Sequence, residues 1–376
     1  MGGVYISYPY CRQKCTYCNF SSGVGIASAQ ADYIAAITRE IADAQLPWSP
    51  RTIYLGGGTP SLIPPEEFKN LLASIPGRPW SEATIEVAPG DIDLENAQAW
   101  SESGISRVSL GVQSFNREVA RASGRMHDAE TVRRELQILH DVGIHRASVD
   151  LIAGLARQTA ETWEADLDWV ERLGVEHASV YMLEVDDESR LGGELRSGGA
   201  RYGARLTPDD EQVAAMYERA VERLSAIGLE RYEISNFARP GAESQHNLAY
   251  WTMTPYWGFG ADAHSFHGSQ RWFNVKTAGE YLSRAQHGES TRVETEQLDE
   301  RRLLEDRLLT GLRTRNGALL SRREAESLAP NLADLTARGW LEAPEPGRLR
   351  LTNSGILFAN EALRELLFAD DKEPRP

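Results

Sequence analysis

The stretch Cys11-Arg-Gln-Lys-Cys15-Thr-Tyr-Cys18 contains all three cysteines of the 376-residue chain and spaces them as C-x3-C-x2-C. Structural thiols scattered through a core would not fall together in this way. Three thiolates are typical of a [4Fe–4S] cluster whose fourth iron is left open for a small molecule. Zinc is the alternative, but a closed structural zinc site needs four ligands, so a distant histidine such as His127 would have to complete it. We predict an iron–sulfur cluster held by Cys11, Cys15 and Cys18.

The sequence around this array resembles a known family. Residues 5–19, and the glycine-rich stretch at residues 56–61 (Gly-Gly-Gly-Thr-Pro-Ser), are similar to those of radical S-adenosylmethionine proteins. Within that family they resemble the branch that contains oxygen-independent coproporphyrinogen III oxidase and the haem chaperones. The resemblance implies that the open iron chelates the amino and carboxylate groups of S-adenosylmethionine.

The composition is that of an ordinary globular protein, with 41% hydrophobic and 25% charged residues. A formal net charge of −15 argues against a nucleic-acid partner, which would need a basic surface. The single cysteine cluster predicts no disulfide framework and requires a reducing compartment. No segment has the roughly 18 apolar residues of a membrane span, and no signal peptide is recognisable. We therefore expect a cytoplasmic protein with no transmembrane segment and, at most, a peripheral membrane contact.

Short strand patterns alternate with amphipathic helix patterns over the first 230 residues, which indicates βα units and a parallel sheet. The predicted strands are residues 4–7, 52–55, 84–87, 107–112, 147–151 and 178–183. The predicted helices are residues 29–45, 65–75, 94–103, 129–142 and 161–173. Six units are too few for a closed eightfold barrel, so we expect a partial (β/α)6 barrel, and the family resemblance implies the same α/β fold.

Three regions follow from the change in pattern along the chain. Residues 1–230 form the predicted partial barrel, and residues 231–293 form an extension of it that is rich in aromatic residues and histidine. Residues 294–376 resemble a small α-rich, winged-helix-like domain that ends in a disordered tail from residue 369.

The predicted cofactor residues lie at the carboxyl ends of the strands, where functional groups of such barrels cluster. Gly57, Gly58 and Thr59 would let the backbone approach the methionyl end of the cofactor, because glycine has no Cβ; a simple strand-to-helix turn is the alternative. The family resemblance assigns the binding of S-adenosylmethionine to Tyr5, Glu86, Gln113, Arg125 and Asp150. Ion pairs at the barrel rim are the alternative for these residues.

Two features depart from the oxidase of this branch. That enzyme has a further cysteine two residues after the third, where this chain has Phe20. It also has a long N-terminal extension, whereas only ten residues precede Cys11 here. Both departures argue against coproporphyrinogen III decarboxylase activity, although the chain is otherwise a scaffold for radical chemistry.

The stretch His246-Asn-Leu-Ala-Tyr250-Trp251 has the form H-N-x-x-Y-W, which the resemblance associates with haem binding in the chaperones. On a helix, His246 and Tyr250 would lie one above the other. His246 is therefore a candidate haem ligand, with a packed, hydrogen-bonded histidine as the alternative. His264 and His267 are further candidate ligands.

These observations favour a haem chaperone that binds haem, one [4Fe–4S] cluster and S-adenosylmethionine and delivers haem to an acceptor protein. The alternatives are a radical enzyme that acts on a porphyrinogen and a related radical methyltransferase. The expected partners are haem, a haem-acceptor protein and an electron donor for the cluster.

Overall fold

The computed structural model describes residues 2–367, and its main feature is one twelve-stranded sheet. The strands lie in the order β12-β11-β10-β9-β1-β2-β3-β4-β5-β6-β8-β7. Strands β1 to β6 pair in parallel, and β9 adds to β1, also in parallel. Antiparallel strands extend both ends of this parallel core. The core is therefore built from consecutive βα units.

The strands of the large sheet are β1 Gly2–Tyr8, β2 Pro50–Gly57, β3 Glu82–Val87, β4 Arg107–Gln113, β5 Arg146–Ala153, β6 His177–Met182, β7 Glu230–Arg231, β8 Asn236–Ala238, β9 Tyr256–Phe259, β10 His264–His267, β11 Gln270–Asn274 and β12 Arg292–Gln297. The helices of this part are α1 Ala27–Asp43, α2 Pro65–Ala73, α3 Leu94–Glu102, α4 Arg117–Ser123, α5 Ala129–Asp141, α6 Ala160–Leu173, α7 Arg190–Arg196, α8 Asp210–Ala226, α9 Gln245–Trp251 and α10 Ala278–His287. Two 3₁₀ segments, Pro60–Leu62 and Arg201–Leu206, lie in connections.

Side chains alternate between the two faces of each parallel strand, as the pleat requires. Val4 and Ile6 of β1, and Ile53 and Leu55 of β2, are fully buried in the hydrophobic core together with the helices. The intervening residues face the opposite side and are polar or aromatic, as Tyr54 is. The structure therefore has an apolar outer layer under the helices and a polar inner face.

The sheet curves so that distant strands face each other across this inner face. Burial raises the pKa of Tyr54 on β2, and the charge of Tyr181 on β6 raises it further. Four strand spacings separate β2 from β6, which would put these rings about 19 Å apart in a flat sheet. The effect of the Tyr181 charge on Tyr54 requires a shorter separation than this, which indicates the curvature of a partial barrel. The strand order leaves the barrel open between β12 and β7.

The C-terminal region has helices and a small antiparallel sheet of its own. Its elements are α11 Glu300–Gly311, β13 Ala318–Leu319, α12 Arg322–Ala337, β14 Leu341–Glu345, β15 Arg348–Leu351, α13 Asn353–Leu357 and α14 Ala359–Leu367. The small sheet has the order β13-β15-β14. The predicted disordered tail, from residue 369, lies outside the described residues.

The six predicted strands and five predicted helices of the barrel are all present, and no predicted bound differs from the observed one by more than two residues. The predicted start of α5 is confirmed in detail, because the Asp128 side chain accepts a hydrogen bond from the Thr131 amide. Gly143 follows the helix with a φ of 89°. Within residues 2–367, no helix is long and apolar enough to cross a membrane.

Candidate cofactor site

The cysteine-containing loop leaves β1 at the carboxyl edge of the parallel sheet. The Cys11 amide donates to the Gly23 carbonyl at 2.9 Å, and the Thr16 amide donates to the Ser123 carbonyl at the end of α4, at 3.1 Å. The three thiols are half-buried. Burial raises the pKa of the Cys11 thiol, hydrogen bonds from Thr59 and Ser22 oppose that rise, and the charges of Cys18 and Cys15 add to it. The three thiols therefore lie within electrostatic reach of one another.

The described residues contain no group of three or more His, Cys, Asp or Glu side chains already arranged to hold a metal ion. Ligation of a cluster by Cys11, Cys15 and Cys18 therefore stays a prediction, as does the zinc alternative. His127, the candidate fourth zinc ligand, is buried, and its Nε2 has no hydrogen-bond partner among residues 2–367. Burial and the nearby Arg125 lower the pKa of His127 to about 4, so its imidazole is neutral at physiological pH.

The glycine-rich loop after β2 packs directly on the start of the cysteine loop. The Gly58 amide donates to the Tyr8 carbonyl at 2.7 Å, and the Thr59 amide donates to the Tyr10 carbonyl at 2.8 Å. A Cβ on Gly58 would lie 2.7 Å from the Tyr10 carbonyl oxygen, closer than real contacts allow. Glycine at 58 is thus required by the contact between two backbones. Gly57, with a φ of 104°, turns its amide to Glu86 Oε2 at 3.2 Å.

Glu86 and Asp150 face each other on the inner face and are held out of water. Glu86 accepts hydrogen bonds from the Tyr54 hydroxyl at 2.9 Å and from Gly57, and burial raises its pKa to about 7. Burial also raises the pKa of Asp150, although serine hydroxyls oppose that shift. A carboxylate has about four lone-pair sites. Glu86 therefore keeps two sites for a ligand.

Three serines that the sequence analysis did not identify hold Asp150. Ser148 and Ser179 donate to its Oδ1 at 3.1 and 2.7 Å, and Ser109 donates to its Oδ2 at 2.7 Å. One acceptor site on Oδ2 remains. Because Ser109, Ser148 and Ser179 share the inward phase of their strands with Asp150, the period of two could have revealed them.

Gln113 and Arg125 have buried polar atoms without a partner in the described part of the chain: Oε1 of Gln113 and Nε of Arg125. Both side chains approach Gly111, at 3.1 and 3.5 Å from an ideal Cβ. Although burial lowers the pKa of the Arg125 guanidinium, the charges of Cys15 and Tyr17 outweigh burial and raise it. Buried polar groups are normally hydrogen-bonded, so these atoms fit a polar ligand beside the cysteine loop.

Tyr5 completes the same inner region. Its ring stacks on that of Tyr54, with centroids 6.1 Å apart, and burial raises its pKa, as does the charge of Glu86. The donor set fits S-adenosylmethionine in chemical type: carboxylates for the N–H groups of its amino group and for its ribose hydroxyls, and a guanidinium for its carboxylate. The structure thus brings Tyr5, Glu86, Gln113, Arg125, Asp150 and the glycine loop to one end of the barrel, while their binding roles stay predictions.

His246 lies nearer the amino ends of β1 and β2, and its ring stacks on that of Tyr54, with centroids 5.2 Å apart. It is 0% exposed. Its Nδ1 is 2.9 Å from Thr52 Oγ1, and its Nε2 is 2.8 Å from the Tyr250 hydroxyl. The predicted i and i+4 pairing with Tyr250 is present, but it joins the two side chains to each other. In this conformation His246 has no nitrogen free for haem iron, so the packed histidine is the arrangement that the structure shows.

The other two candidate histidines are on β10, and both are exposed. The ring of His264 stacks on Phe273 with centroids 5.3 Å apart. Phe20, at the position of the additional cysteine of the oxidase, is 66% exposed, and its carbonyl accepts a hydrogen bond from Lys14 Nζ at 3.0 Å.

The chain is similar in sequence to known radical SAM proteins. A family model described as the radical SAM superfamily matches residues 5–170. The chain is 32% identical to the haem chaperone HemW of Bacillus subtilis, over 98% of this chain and 99% of that protein. It is 31% identical to HemW of Escherichia coli over 69% of both chains, and 30% identical to a mitochondrial radical S-adenosyl methionine domain-containing protein of Bos taurus over 96% of this chain and 85% of that one.

A solved structure supports the fold. Coproporphyrinogen III oxidase (HemN) from Escherichia coli, a radical SAM enzyme, superposes with a TM-score of 0.83 over 98% of this chain and 90% of the oxidase. The sequences are 22% identical in that comparison, so the match concerns the fold alone.

Proposed function

Because the chain belongs to the HemW family of radical SAM proteins, we propose that it is a haem chaperone that binds haem and passes it to an acceptor protein. The observation that carries the proposal is the similarity to HemW proteins along almost the whole length of both chains. A similarity confined to the barrel would support cofactor binding only. The exposed Phe20, in place of a cysteine, also favours a chaperone over the decarboxylase.

We further propose that the chain holds a [4Fe–4S] cluster on Cys11, Cys15 and Cys18 and binds S-adenosylmethionine beside it. The cofactor bound at an open cluster iron supplies one-electron chemistry at its sulfonium carbon–sulfur bond. The chain's own residues bind and orient it. Arg125 suits the methionyl carboxylate, since its planar fork can contact both oxygens.

The two inward-facing carboxylates differ in the number of acceptor sites that they keep. Glu86, with two unused acceptor sites, suits the N–H groups of the amino group. Asp150 keeps a single acceptor site after its three serine bonds, which suits one ribose hydroxyl. The Thr59 hydroxyl, which hydrogen-bonds Cys11, helps to hold that sulfur as a thiolate.

A radical enzyme that acts on a porphyrinogen is the second candidate. The buried atoms of Gln113 and Arg125 that have no partner within residues 2–367 support a site for the radical cofactor, which this enzyme would need as much as the chaperone. A radical methyltransferase would use the same site.

One anaerobic experiment separates these functions. The protein with a reconstituted cluster is incubated with haemin, and separately with coproporphyrinogen III, S-adenosylmethionine and a strong reductant. We expect a protein-bound haem spectrum in the first reaction and unchanged substrate by mass spectrometry in the second. Catalytic formation of protoporphyrinogen IX would contradict the chaperone assignment and support the enzyme.

A further inference from the structure

Haem iron needs an imidazole that has a free nitrogen and can be reached from outside, together with apolar or aromatic cover for the porphyrin. His246 lacks both the free nitrogen and the access, as described above. Freeing its Nε2 would break the bond to Tyr250, and the His246 side chain is buried beneath α9. The haem ligand is therefore to be sought among the accessible histidines.

His264 meets the first requirement. It is exposed, and no hydrogen bond to its ring nitrogens occurs within residues 2–367. Partial burial lowers the pKa of His264, the neighbouring Asp262 raises it, and Arg271 lowers it, with a net shift downwards. This downward shift favours the neutral imidazole, which has a lone pair for a metal.

The surroundings of His264 meet the second requirement. In the β10–β11 register His264 lies opposite Phe273, and Phe266 lies opposite Arg271. Phe266 also lies opposite Tyr256 of β9. By the alternation of side chains these residues share one face of the sheet. That face offers aromatic surface next to the imidazole, whereas the Arg271 guanidinium is already bound to Glu296 and Asp306.

This face is the inner face of the barrel, at the end where the cofactor site lies. In the β1–β9 register Tyr5 lies opposite Gly258, so the inner face continues from Tyr5 onto β9 and β10. The Asp262 charge also acts on the inward Tyr5. His264 is the first residue of β10, which runs antiparallel to β9, so it lies towards the carboxyl edge of the parallel strands.

The cysteine loop reaches the same edge. The Ser21 hydroxyl donates to the Lys276 carbonyl at 2.6 Å, three residues after Phe273. The exposed Phe20 precedes Ser21. The loop is thus anchored to the chain just after β11, the strand that carries Phe273.

We propose that His264, rather than His246, is the imidazole that ligates haem iron, with Phe273 packing against the porphyrin. The proposal rests on the proposed haem-chaperone function and names the residue that would bind the haem iron. It places haem at the mouth of the barrel, beside the cysteine loop but without a bond to the cysteines.

The test compares His264→Ala with His267→Ala, since both histidines are exposed on the same strand and alternate between its faces. Each variant, with its cluster reconstituted, is titrated with ferric haem under anaerobic conditions and followed by the Soret band. We expect His264→Ala to shift the Soret band and weaken haem binding by about tenfold or more, as expected for a lost iron–ligand bond. His267→Ala should match the wild type. Added free imidazole should restore the wild-type spectrum of His264→Ala, a rescue that a merely structural residue would not show.

A wild-type spectrum and affinity in His264→Ala would overturn the proposal, and so would equal effects of the two substitutions. Because residue 264 is exposed, its substitution should not disturb the fold. The cluster absorbance of the variant, which should be unchanged, checks this. If the wild type itself binds no haem, the proposed function fails as well. If the wild type binds haem and His264→Ala is indistinguishable from it, the ligand assignment alone fails.

Discussion

The charge of the cofactor site depends on single carboxyl groups, and burial is the main cause of the shifts in their pKa values. Burial raises the pKa of both Glu86 and Glu135 to about 7, yet only Glu86 lies in the cofactor site. Glu135 instead accepts hydrogen bonds from the Gly90 and Ile92 amides. The sequence could identify Glu86 by its place at a strand end, but the shift in its pKa depends on the tertiary environment.

The raised pKa of Glu86 predicts that S-adenosylmethionine binds more tightly as the pH rises. With a pKa of about 7, Glu86 is mostly protonated at pH 6 and mostly ionised at pH 8. The ionised carboxylate binds the N–H groups of the amino ligand and the nearby sulfonium charge better than the neutral acid does, so the affinity should be roughly tenfold lower at pH 6 than at pH 8. Calorimetric titrations at these two values measure the change.

Two substitutions complete this test. Glu86→Gln should abolish the pH dependence and lower the affinity at pH 8. The matched control Glu135→Gln removes a carboxyl with the same raised pKa outside the site, and it should leave the dependence intact. If the wild-type affinity for S-adenosylmethionine did not change with pH, Glu86 would not bind the amino group of the cofactor.

At the scale of elements, the glycine loop after β2 supports the cysteine loop after β1. Both carboxyl ends lie at one edge because β1 and β2 are parallel neighbours. The strand and helix periods made this juxtaposition predictable. The same reasoning did not find β9 to β12, since antiparallel strands rich in aromatic residues do not follow the βα rhythm and their partners are not encoded locally.

Replacing Gly58 by alanine should therefore damage the cysteine loop as well as the fold. The new Cβ would meet the carbonyl oxygens of Tyr10 and Tyr8 at 2.7 and 2.8 Å, and these are backbone atoms that cannot turn away. We expect the free energy of unfolding of the cluster-free protein to fall by about 1–3 kcal/mol. Chemical denaturation measures this loss. Cluster reconstitution should also become less complete.

The matched control is Gly279→Ala in α10, where a Cβ would meet nothing within 4 Å. That variant should be as stable as the wild type, or slightly more stable, because alanine favours helix. Equal stability of Gly58→Ala and the wild type would show that the two loops can move apart at little cost.

At the scale of the whole molecule, the local pattern of the cysteines and strand ends sufficed to predict one end of the barrel. It did not reveal that the candidate haem ligand His246 is buried. The H-N-x-x-Y-W stretch has the right residues at the right helical spacing, but α9 packs against β1 and β2 and buries His246 completely. Burial of a helix face is set by its tertiary partners, whereas an isolated histidine on a short strand gives little signal. His264 can be recognised as a candidate haem ligand only from the sheet register, which places it beside Phe273.

The central claim is that haem and the thiolates occupy separate sites on a chain that carries haem. The most direct measurement is a haem titration of the Cys11→Ala/Cys15→Ala/Cys18→Ala variant beside the wild type, with iron and haem content determined separately. Our account predicts that the variant holds no cluster iron and yet binds one haem with an affinity and Soret band close to those of the wild type. Loss of haem binding in a variant whose circular dichroism shows it to be folded would contradict the account, because it would make the cysteines themselves the haem ligands.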